Sequence, residues 1–452
     1  MKQITLAAAA MLLMIVLAAA PAAAQHSHPQ RHASKSHLGK TTKITLLGFS
    51  DYHSHALPFY SEERTDQGGI ARAFGYMKRE KQRGAVVFSG GDMVNKGSPA
   101  WSDKFRCVEW PWLNGVVDDM AFGNHDADYG ADEFARCRAR VTHPILSANT
   151  DGFQRYDVLT RRGIRLGVFA VAGPDFSSLV KAAPFRYSDR IDAARDVVKT
   201  LREVEHVDAI ILIGHEHESD DFALARAVPG IDIILGSHSH LKREWQQIAG
   251  TKTWFLSPFQ YLTYISRVEL TFEGHVLQSA HGSLVPVNAS MPVDKVIAAR
   301  VSALQHELES DPQYAALFAP IGRLEHPLSV DALGAFAVDA MRVSAKADLA
   351  LSTKSSFRQP LPAGPLTMEL LRMAMPYDNE IVLVTLGSVE LSKLLAKGAE
   401  SESYLAGTIE EGKTYRVATT DYFAGVAKLT AEKTGLHVRD EVRKALREGV
   451  AR

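Results

Sequence analysis

The segment VDAIILIGHEH, from Val207 to His217, joins five consecutive apolar residues to a pair of histidines. An apolar run of this length predicts a strand that is buried on both faces. Similar runs recur in chain order as KITLLGF (43–49), GAVVFSGG (84–91), HPILSANT (143–150), IRLGVFAV (164–171) and IDIILGSHSH (231–240). We therefore predict a core of buried strands within this part of the chain.

Helical patterns separate these runs, notably GGIARAFGYMKREKQRG (68–84) and RIDAARDVVKTLREVEHV (190–207). Alternating strands and helices predict an α/β core with layered sheets. Polar clusters stand where the apolar runs stop: SDYH (50–53), GGDMVN (90–95), GNHDAD (123–128), GHEH (214–217) and GSHSH (236–240). Sheets of this class place their ligand sites at strand ends, so these clusters are the candidate site.

Composition narrows the classes of function. The chain has 452 residues, of which 46% are hydrophobic and 23% are charged, as expected of a globular protein with two or three domains. Its 51 basic and 52 acidic residues give a net charge of -1. Such a balance provides no broad basic surface for a nucleic acid duplex or an anionic membrane. An anionic substrate would have to be bound locally.

The first 24 residues read as a secretory signal peptide, with an apolar core followed by an A-x-A cleavage site before Gln25. An uncleaved membrane anchor is the alternative. Residues 25–42 are polar, contain four histidines and predict a disordered leader. We expect a periplasmic or secreted protein without stable membrane insertion after signal removal, whose oligomeric state the sequence leaves open.

The chain contains two cysteines, Cys107 and Cys137, on either side of the GNHDAD cluster. An oxidising destination allows a disulfide between them, and two separate buried thiols are the alternative. A disulfide here would join the loop around SPAWSDKFRC to the segment FARCRARV.

The strand-end clusters hold residues that commonly bind metals. Oxygen and imidazole donors without thiolates suit Zn, Mn, Fe or Ni. A catalytic zinc usually takes three protein ligands and a water, so a larger set predicts two ions sharing a carboxylate. The set comprises Asp51, His53, Asp92, Asn124, His125, His215, His238 and His240.

Taken together and in order, DYH, GGD, GNHDAD, GHEH and GSHSH resemble the signature blocks of the calcineurin-like metallophosphoesterases, in particular the secreted 5'-nucleotidase family. The resemblance covers residues 43 to about 290. It implies an N-terminal four-layer α/β/β/α sandwich and a smaller C-terminal α/β substrate-binding domain. We place the catalytic domain at 43–290, a linker helix at 291–320, and a shortened C-terminal domain at 321–452.

The same resemblance implies roles for individual residues. One divalent ion, Mn, Zn or similar, would be held by Asp51, His53, Asp92 and His240, and a second by Asp92, Asn124, His215 and His238. Metal-bound hydroxide would attack phosphorus. His125, oriented by Asp128, would stabilise the developing charge and assist the leaving oxygen. Asp126 receives no role.

In the C-terminal part, Arg358 matches the family arginine that contacts substrate phosphate, and Tyr377 matches one of two aromatic residues that sandwich the base. A second ring is not evident: Tyr422 or Phe423 would substitute for it, or both are equally core residues of the predicted strand TYRVATTDYF. Where the family has an Asn-Gly-Gly type turn before its arginine, this chain has STKSSFR, so Lys354 is either an extra phosphate contact or simply solvated. The family's further upstream arginines are not clearly matched, and Arg323 is a weak candidate for one of them.

Three functions remain open from the sequence. The leading one is a dinuclear-metal phosphohydrolase that releases phosphate from nucleoside 5'-monophosphates or related nucleotides. The second keeps the metal chemistry on a 2',3'-cyclic nucleotide, a nucleotide sugar, another phosphoester or a sulfur ester. The third is a nucleotide-binding protein without catalysis, against which the complete ligand set argues.

Overall fold

The computed structural model describes residues 41–396 and 403–447. The predicted signal peptide and nearly all of the predicted leader lie outside these residues. The first strand begins at Thr41, two residues before the predicted start of the catalytic domain.

The first part of the chain alternates strands and helices as predicted. Its strands are β1 (Thr41–Phe49), β2 (Phe59–Ser61), β3 (Arg64–Gln67), β4 (Val86–Ser89), β5 (Asp119–Ala121), β6 (Ile145–Leu146), β7 (Tyr156–Arg161), β8 (Ile164–Phe169), β9 (Ala209–Leu212), β10 (Ile233–Leu235), β11 (Lys242–Gln247), β12 (Trp254–Pro258), β13 (Tyr264–Glu273) and β14 (Val276–Pro286). Its helices are α1 (Ile70–Gln82), α2 (Ala100–Phe105), α3 (Ala131–Arg138), α4 (Phe176–Leu179), α5 (Arg190–Glu203) and α6 (Glu218–Ala227). Short 3-10 helices span Trp110–Leu113 and His125–Ala127.

Two six-stranded sheets form the centre of this part, in the orders β14-β13-β1-β4-β5-β6 and β11-β12-β10-β9-β8-β7. The apolar residues of β1 pack into two different cores, one on each face of the strand. Ile44 and Leu46 belong to the core between the sheets, whereas Leu47 and Phe49 belong to the outer core beneath the helices. From Leu46 to Phe49 both faces of the strand are therefore buried, which favours apolar residues at consecutive positions.

Helices cover the outer face of each sheet. Residues of α1, α2 and α3 contribute to the core outside the first sheet, and residues of α5 and α6 to the core outside the second. The order of layers is helix, sheet, sheet, helix, which confirms the predicted four-layer sandwich. β1, β4 and β5 run parallel, as do β8, β9 and β10, so their carboxyl ends share an edge within each sheet.

The second part is a smaller α/β unit. Its elements are α7 (Lys295–Ser310), α8 (Ala315–Phe318), β15 (Pro320–Leu324), α9 (Val330–Ser344), β16 (Leu349–Thr353), a 3-10 helix (Lys354–Ser356), β17 (Gly364–Thr367), α10 (Met368–Ala374), β18 (Glu380–Gly387), α11 (Ser388–Ala396), β19 (Ser403–Ala406), β20 (Thr414–Thr420), α12 (Asp421–Val426), β21 (Glu432–His437) and α13 (Val438–Arg447). Five strands form one sheet in the order β19-β16-β20-β18-β21, and β15 pairs with β17. The predicted C-terminal α/β fold is confirmed.

The segment predicted as an amphipathic helix forms α7. Asp294 caps it by accepting hydrogen bonds from the backbone amides of Val296 and Ile297. The helix packs against α1, and Lys78 forms an ion pair with Asp294 at 2.5 Å. A side chain at Gly75 of α1 would lie 2.1 Å from the carbonyl oxygen of Pro292, so glycine allows this close approach.

The two parts also meet in the region that follows β4. The Ser98 hydroxyl donates to the carbonyl of Arg372 at 3.0 Å, and the amide of Ala100 donates to Glu369 Oε1 at 2.7 Å. Arg372 reaches Asp103 Oδ2 at 3.2 Å. α10 of the second part is therefore hydrogen-bonded to the loop that follows β4 in the first and to α2.

Cys107 and Cys137 form a disulfide with a Cα–Cα distance of 5.6 Å. The bridge that the sequence left open is thus present, and it joins the segment after α2 to α3. Over residues 41–396 and 403–447, every helix is too short or too polar to cross a bilayer.

Candidate active site

The polar clusters predicted at strand ends converge on one edge of the two sheets. The turns that carry them are unusual, because five of the predicted ligands adopt a positive φ, which non-glycine residues rarely do. Such backbone strain concentrates at functional sites, where the surrounding fold must hold it. The five are Asp51, His53, Asp92, His238 and His240, with φ between 48° and 60°.

A first ligand group contains Asp51, His53, Asp92 and His240, each with one donor atom within 4.8 Å of the others. His53 Nε2 lies 3.0 Å from His240 Nε2 and 3.6 Å from Asp92 Oδ2. His240 Nε2 lies 3.3 Å from Asp51 Oδ1. These four are the residues predicted for one ion.

A second group contains Asp92, His215 and His238, also within 4.8 Å. His215 Nε2 is 3.2 Å from Asp92 Oδ2. Asn124, predicted as the fourth member, is buried and lines a cavity together with Asp92 and His238. Asp92 belongs to both groups, which is the arrangement expected of a shared carboxylate.

Backbone carbonyls orient two of the histidines. The Nδ1 atom of His53 lies 3.1 Å from the carbonyl oxygen of Val94, and that of His215 lies 2.6 Å from the carbonyl oxygen of Gly90. If Nδ1 carries the proton and donates it, Nε2 keeps its lone pair and points at the carboxylates. This is the tautomer that a metal ligand requires.

The described residues fit divalent ions by the chemistry of their donors. Asn124 Oδ1 and His215 Nε2 are buried without a hydrogen-bond partner within the described structure. Asp51 and Asp92 are 0% and 1% exposed, so two carboxylates stand almost entirely out of water. Buried charges and orphaned acceptors are costly unless a cation satisfies them. Oxygen and imidazole donors suit Zn or Mn.

The electrostatics of the protein without ions support this assignment. Burial would lower the pKa of His215, but the negative charges of Asp92 and Asp51 outweigh it and raise that pKa to about 9. Burial would raise the pKa of Asp51, but His240 and His215 lower it below its usual value. Protons and metal ions therefore compete for the same cluster of negative charge.

His125 stands beside the ligand groups without belonging to either. Its Nδ1 is 2.7 Å from Asp128 Oδ2, which also accepts a hydrogen bond from the amide of Lys96 at 3.0 Å. Burial would lower the pKa of His125, but Asp128 and Asp92 raise it well above its usual value. The predicted pair is thus brought together, with an imidazole that faces the cavity.

The sequence analysis gave Asp126 no role. In the structure its side chain holds two loops together. Its carboxylate accepts hydrogen bonds from the amides of Gly123 at 2.9 Å, Met93 at 2.8 Å and Asp92 at 3.2 Å. These bonds tie the loop after β5 to the loop after β4. Asp126 therefore holds two ligand-bearing loops in register.

Sequence reasoning missed Asp175 altogether. Its Oδ2 lies 2.9 Å from His238 Nε2 and 3.3 Å from His217 Nε2. The residue follows β8 in the segment AGPDFSS, so the strand-end rule that found the other clusters could have found it.

One cavity of about 280 Å³ joins these groups to the second part of the chain. Arg358 and Tyr377 line it, as predicted for substrate-binding residues, and Tyr422 lines it too. Tyr422 is 53% exposed and lies on α12 beyond the end of β20, whereas Phe423 packs against the core. Lys354 and Arg323 are not among the cavity-lining residues.

A four-layer α/β/β/α fold with paired histidine and aspartate ligand groups at its strand ends defines a metal-dependent phosphoesterase. The family model of the calcineurin-like phosphoesterases matches residues 44–242, and that of the 5'-nucleotidase C-terminal domain matches residues 320–408. Together these matches cover well over half of the chain. The chain belongs to the 5'-nucleotidase family of calcineurin-like phosphoesterases, and it is a hydrolase.

Individual relatives agree with this assignment. Protein UshA of Yersinia enterocolitica is 24% identical over 85% of this chain and 86% of its own length. The fold is similar to that of a 5'-nucleotidase precursor from Thermus thermophilus, with a TM-score of 0.73, 20% identity and coverage of 90% and 96% of the two chains. It is equally similar to the sulfate thiohydrolase SoxB of Thermus thermophilus, with a TM-score of 0.74, 18% identity and coverage of 90% and 94%. Fold similarity therefore does not choose between ester substrates.

Proposed function

We propose that this protein hydrolyses nucleoside 5'-monophosphates and releases inorganic phosphate. The observation that carries the proposal is a single cavity, lined by members of both ligand groups, the His125 and Asp128 pair, Arg358 and two tyrosine rings. Metal-ligand groups account for hydrolysis of a phosphate ester. The two tyrosine rings provide surfaces on which the base at the other end of the substrate can stack.

We assign two divalent ions to the site. One would be held by Asp51, His53, Asp92 and His240, and the other by Asp92, Asn124, His215 and His238. The aspartates and histidines of each group lie at the distances given above. Ions bound there would activate a water near neutral pH and neutralise charge on the phosphoryl oxygens. Mn and Zn both suit these donors.

His125 is the proton and hydrogen-bond donor of the proposed reaction. With Nδ1 held by Asp128, the ring presents Nε2 to the cavity, where it can contact the phosphoryl group or the leaving oxygen. The negative charge of Asp128 favours the protonated ring. Asp128 therefore acts through His125 as a positioning residue.

Arg358 is assigned to the substrate phosphate on the basis of its contact with His240. Its Nη1 lies 2.5 Å from His240 Nδ1, and a guanidinium can only donate. If His240 Nε2 binds a cation, the ring proton must move to Nδ1, and the two donors then face each other. Arg358 needs a new acceptor in that state, and a phosphoryl oxygen in the cavity meets this need.

Tyr377 and Tyr422 are assigned to the base. We expect Tyr422→Ala to lower kcat/KM for nucleoside 5'-monophosphates by about 5- to 150-fold, because stacking is worth about 1 to 3 kcal/mol per base. Steady-state kinetics with glycerol phosphate should be unchanged, since that substrate has no base. Tyr422→Phe keeps the ring and should retain the wild-type preference. Equal losses for both substrates in Tyr422→Ala would contradict the assignment.

A substrate panel tests the function itself. The purified protein, reconstituted with Mn or Zn, would be assayed for phosphate release from 5'-nucleotides, a 2',3'-cyclic nucleotide, a nucleotide sugar and an aryl phosphate. We expect the highest kcat/KM for the 5'-monophosphates. Turnover of the aryl phosphate alone would leave the metal chemistry in place and reject the nucleotide assignment.

We also propose a periplasmic or secreted location and the division into domains predicted above. The Cys107–Cys137 disulfide supports an oxidising compartment. The two family matches end and begin on either side of α7, which supports a boundary within residues 291–320.

A further inference from the structure

The segment Ala172–Phe176 covers the outer side of the second ligand group. The amide of Gly173 donates to the carbonyl of His215 at 2.9 Å, and the Phe176 ring meets the His215 ring edge-on, with centroids 5.8 Å apart. The same ring lies 6.2 Å from the ring of His238. One short segment therefore contacts both histidines assigned to the second ion.

Within this segment, Asp175 makes the polar contact with the ring of His238. Its Oδ2 lies 2.9 Å from His238 Nε2, and the His238 side chain is only 8% exposed. A carboxylate accepts but does not donate, so Nε2 carries the ring proton and Nδ1 keeps the lone pair. The contact thus selects which nitrogen of His238 can bind a metal.

The anchor of His238 differs in kind from those of His53 and His215. Neutral backbone carbonyls face the Nδ1 atoms of His53 and His215. A carboxylate partner carries a full negative charge, which makes the imidazole a stronger electron donor to a bound cation. We therefore expect His238 to depend on its outer partner more than the other two do.

We propose that Asp175 is a positioning residue that sets the affinity of the second metal position through His238. The proposal rests on the proposed binding of two ions and adds a residue that acts on one of them. Asp175 holds the ring of His238 in one tautomer and one orientation. The first ligand group does not include His238, so its ion should not depend on Asp175.

A rival arrangement involves the same atoms. Asp175, His217 and His238 also place one donor atom each within 4.8 Å of one another, so they could themselves hold a cation. This would require His238 to bind ions through both ring nitrogens at once, or to leave the second group. Our proposal instead makes Asp175 the hydrogen-bond partner of His238, with two ions per chain.

Metal binding distinguishes these arrangements without any activity assay. The full chain would be stripped with a chelator, titrated with Zn in a metal buffer, and analysed for bound metal. We expect wild type to bind two ions, and Asp175→Ala to bind one of them about 10- to 100-fold more weakly, with the other unchanged. Asp175→Asn should lose less, because an amide oxygen can still accept from His238.

Two controls isolate the effect of orientation. Asp128→Ala also removes a carboxylate from the cavity, but the hydrogen-bond partner of that carboxylate, His125, is not a metal ligand. This variant therefore controls for the loss of negative charge alone. His217→Ala removes the second polar contact of Asp175 and a ring whose centroid lies 4.4 Å from that of His238, but it keeps the contact between Asp175 and His238. Neither should weaken either ion, and the melting temperature of the metal-free Asp175→Ala protein should match wild type.

The outcomes that overturn the proposal are distinct. Wild-type affinity at both positions in Asp175→Ala rejects it while the two-ion assignment stands. An equal loss of metal affinity in Asp128→Ala would show that the effect comes from the lost negative charge alone, and it would also reject the proposal. Three ions in wild type, falling to two in both Asp175→Ala and His217→Ala, support the rival site. A wild type that binds no ion rejects the metal assignment itself.

Discussion

Asp92→Ala should hydrolyse nucleoside 5'-monophosphates more than about a thousandfold more slowly than wild type. Removing one preorganised electrostatic group already costs about 10²–10³ in turnover, and Asp92 serves two ligand groups at once. Its Oδ1 also accepts the amide of His125 at 2.8 Å, so the loop that carries Asn124 loses an anchor as well. Phosphate release and bound-metal analysis on the same preparation measure both effects.

The matched control is Asp189→Ala. Asp189 caps α5 by accepting the amide of Asp192 and is not among the cavity-lining residues, so its loss costs about 1 kcal/mol of stability and leaves turnover intact. An Asp92→Ala protein with near wild-type turnover would remove the shared carboxylate from the mechanism. If the Asp92→Ala protein kept its full metal content but lost turnover, Asp92 would be needed for catalysis and not for metal binding.

His125→Ala should lower kcat by about two to four decades, the range for a lost general acid or electrostatic donor. Metal content should stay at the wild-type level, because the group that binds Asp92 is the main-chain amide of residue 125, which the substitution keeps. Single-turnover kinetics with a 5'-monophosphate, together with metal analysis, measure the two quantities separately.

Asp128→Ala is the companion variant. It leaves the His125 imidazole present but removes the carboxylate 2.7 Å from Nδ1, so its loss in kcat should be smaller than that of His125→Ala. A leaving group that needs no protonation, such as an aryl phenolate, should reduce the penalty in both variants. Unaltered kcat in His125→Ala for every substrate would exclude the residue from catalysis.

Much of the architecture could be predicted because its signals are local. The apolar runs at 43–49, 84–91, 164–171, 207–215 and 231–240 predicted strands that the structure forms as β1, β4, β8, β9 and β10. A strand that is buried on both faces has apolar residues at consecutive positions, so the pattern can be recognised within one short segment. The clusters at the ends of these strands were visible for the same reason.

Residues whose significance depends on distant partners could not be assigned in this way. The role of Asp126 follows only from its hydrogen bonds to the loop after β4, which the sequence does not show. Tyr422 looked equally consistent with a core position, since the end of β20 is not marked in the pattern TYRVATTDYF. Its place on the cavity follows from how α12 packs beside β18 and β20.

The amino-acid sequence by itself determined the class of fold, the strand-end positions of the donor residues and their chemical type, because periodicity and side-chain chemistry are properties of short segments. Only the tertiary structure decided which nitrogen of each histidine faces a carboxylate, that Asp175 anchors His238, and that Arg358 and Tyr422 border the same cavity as His125. These relations join residues that are tens to hundreds of positions apart. They follow from the packing of two sheets and a second α/β unit, which no local pattern records.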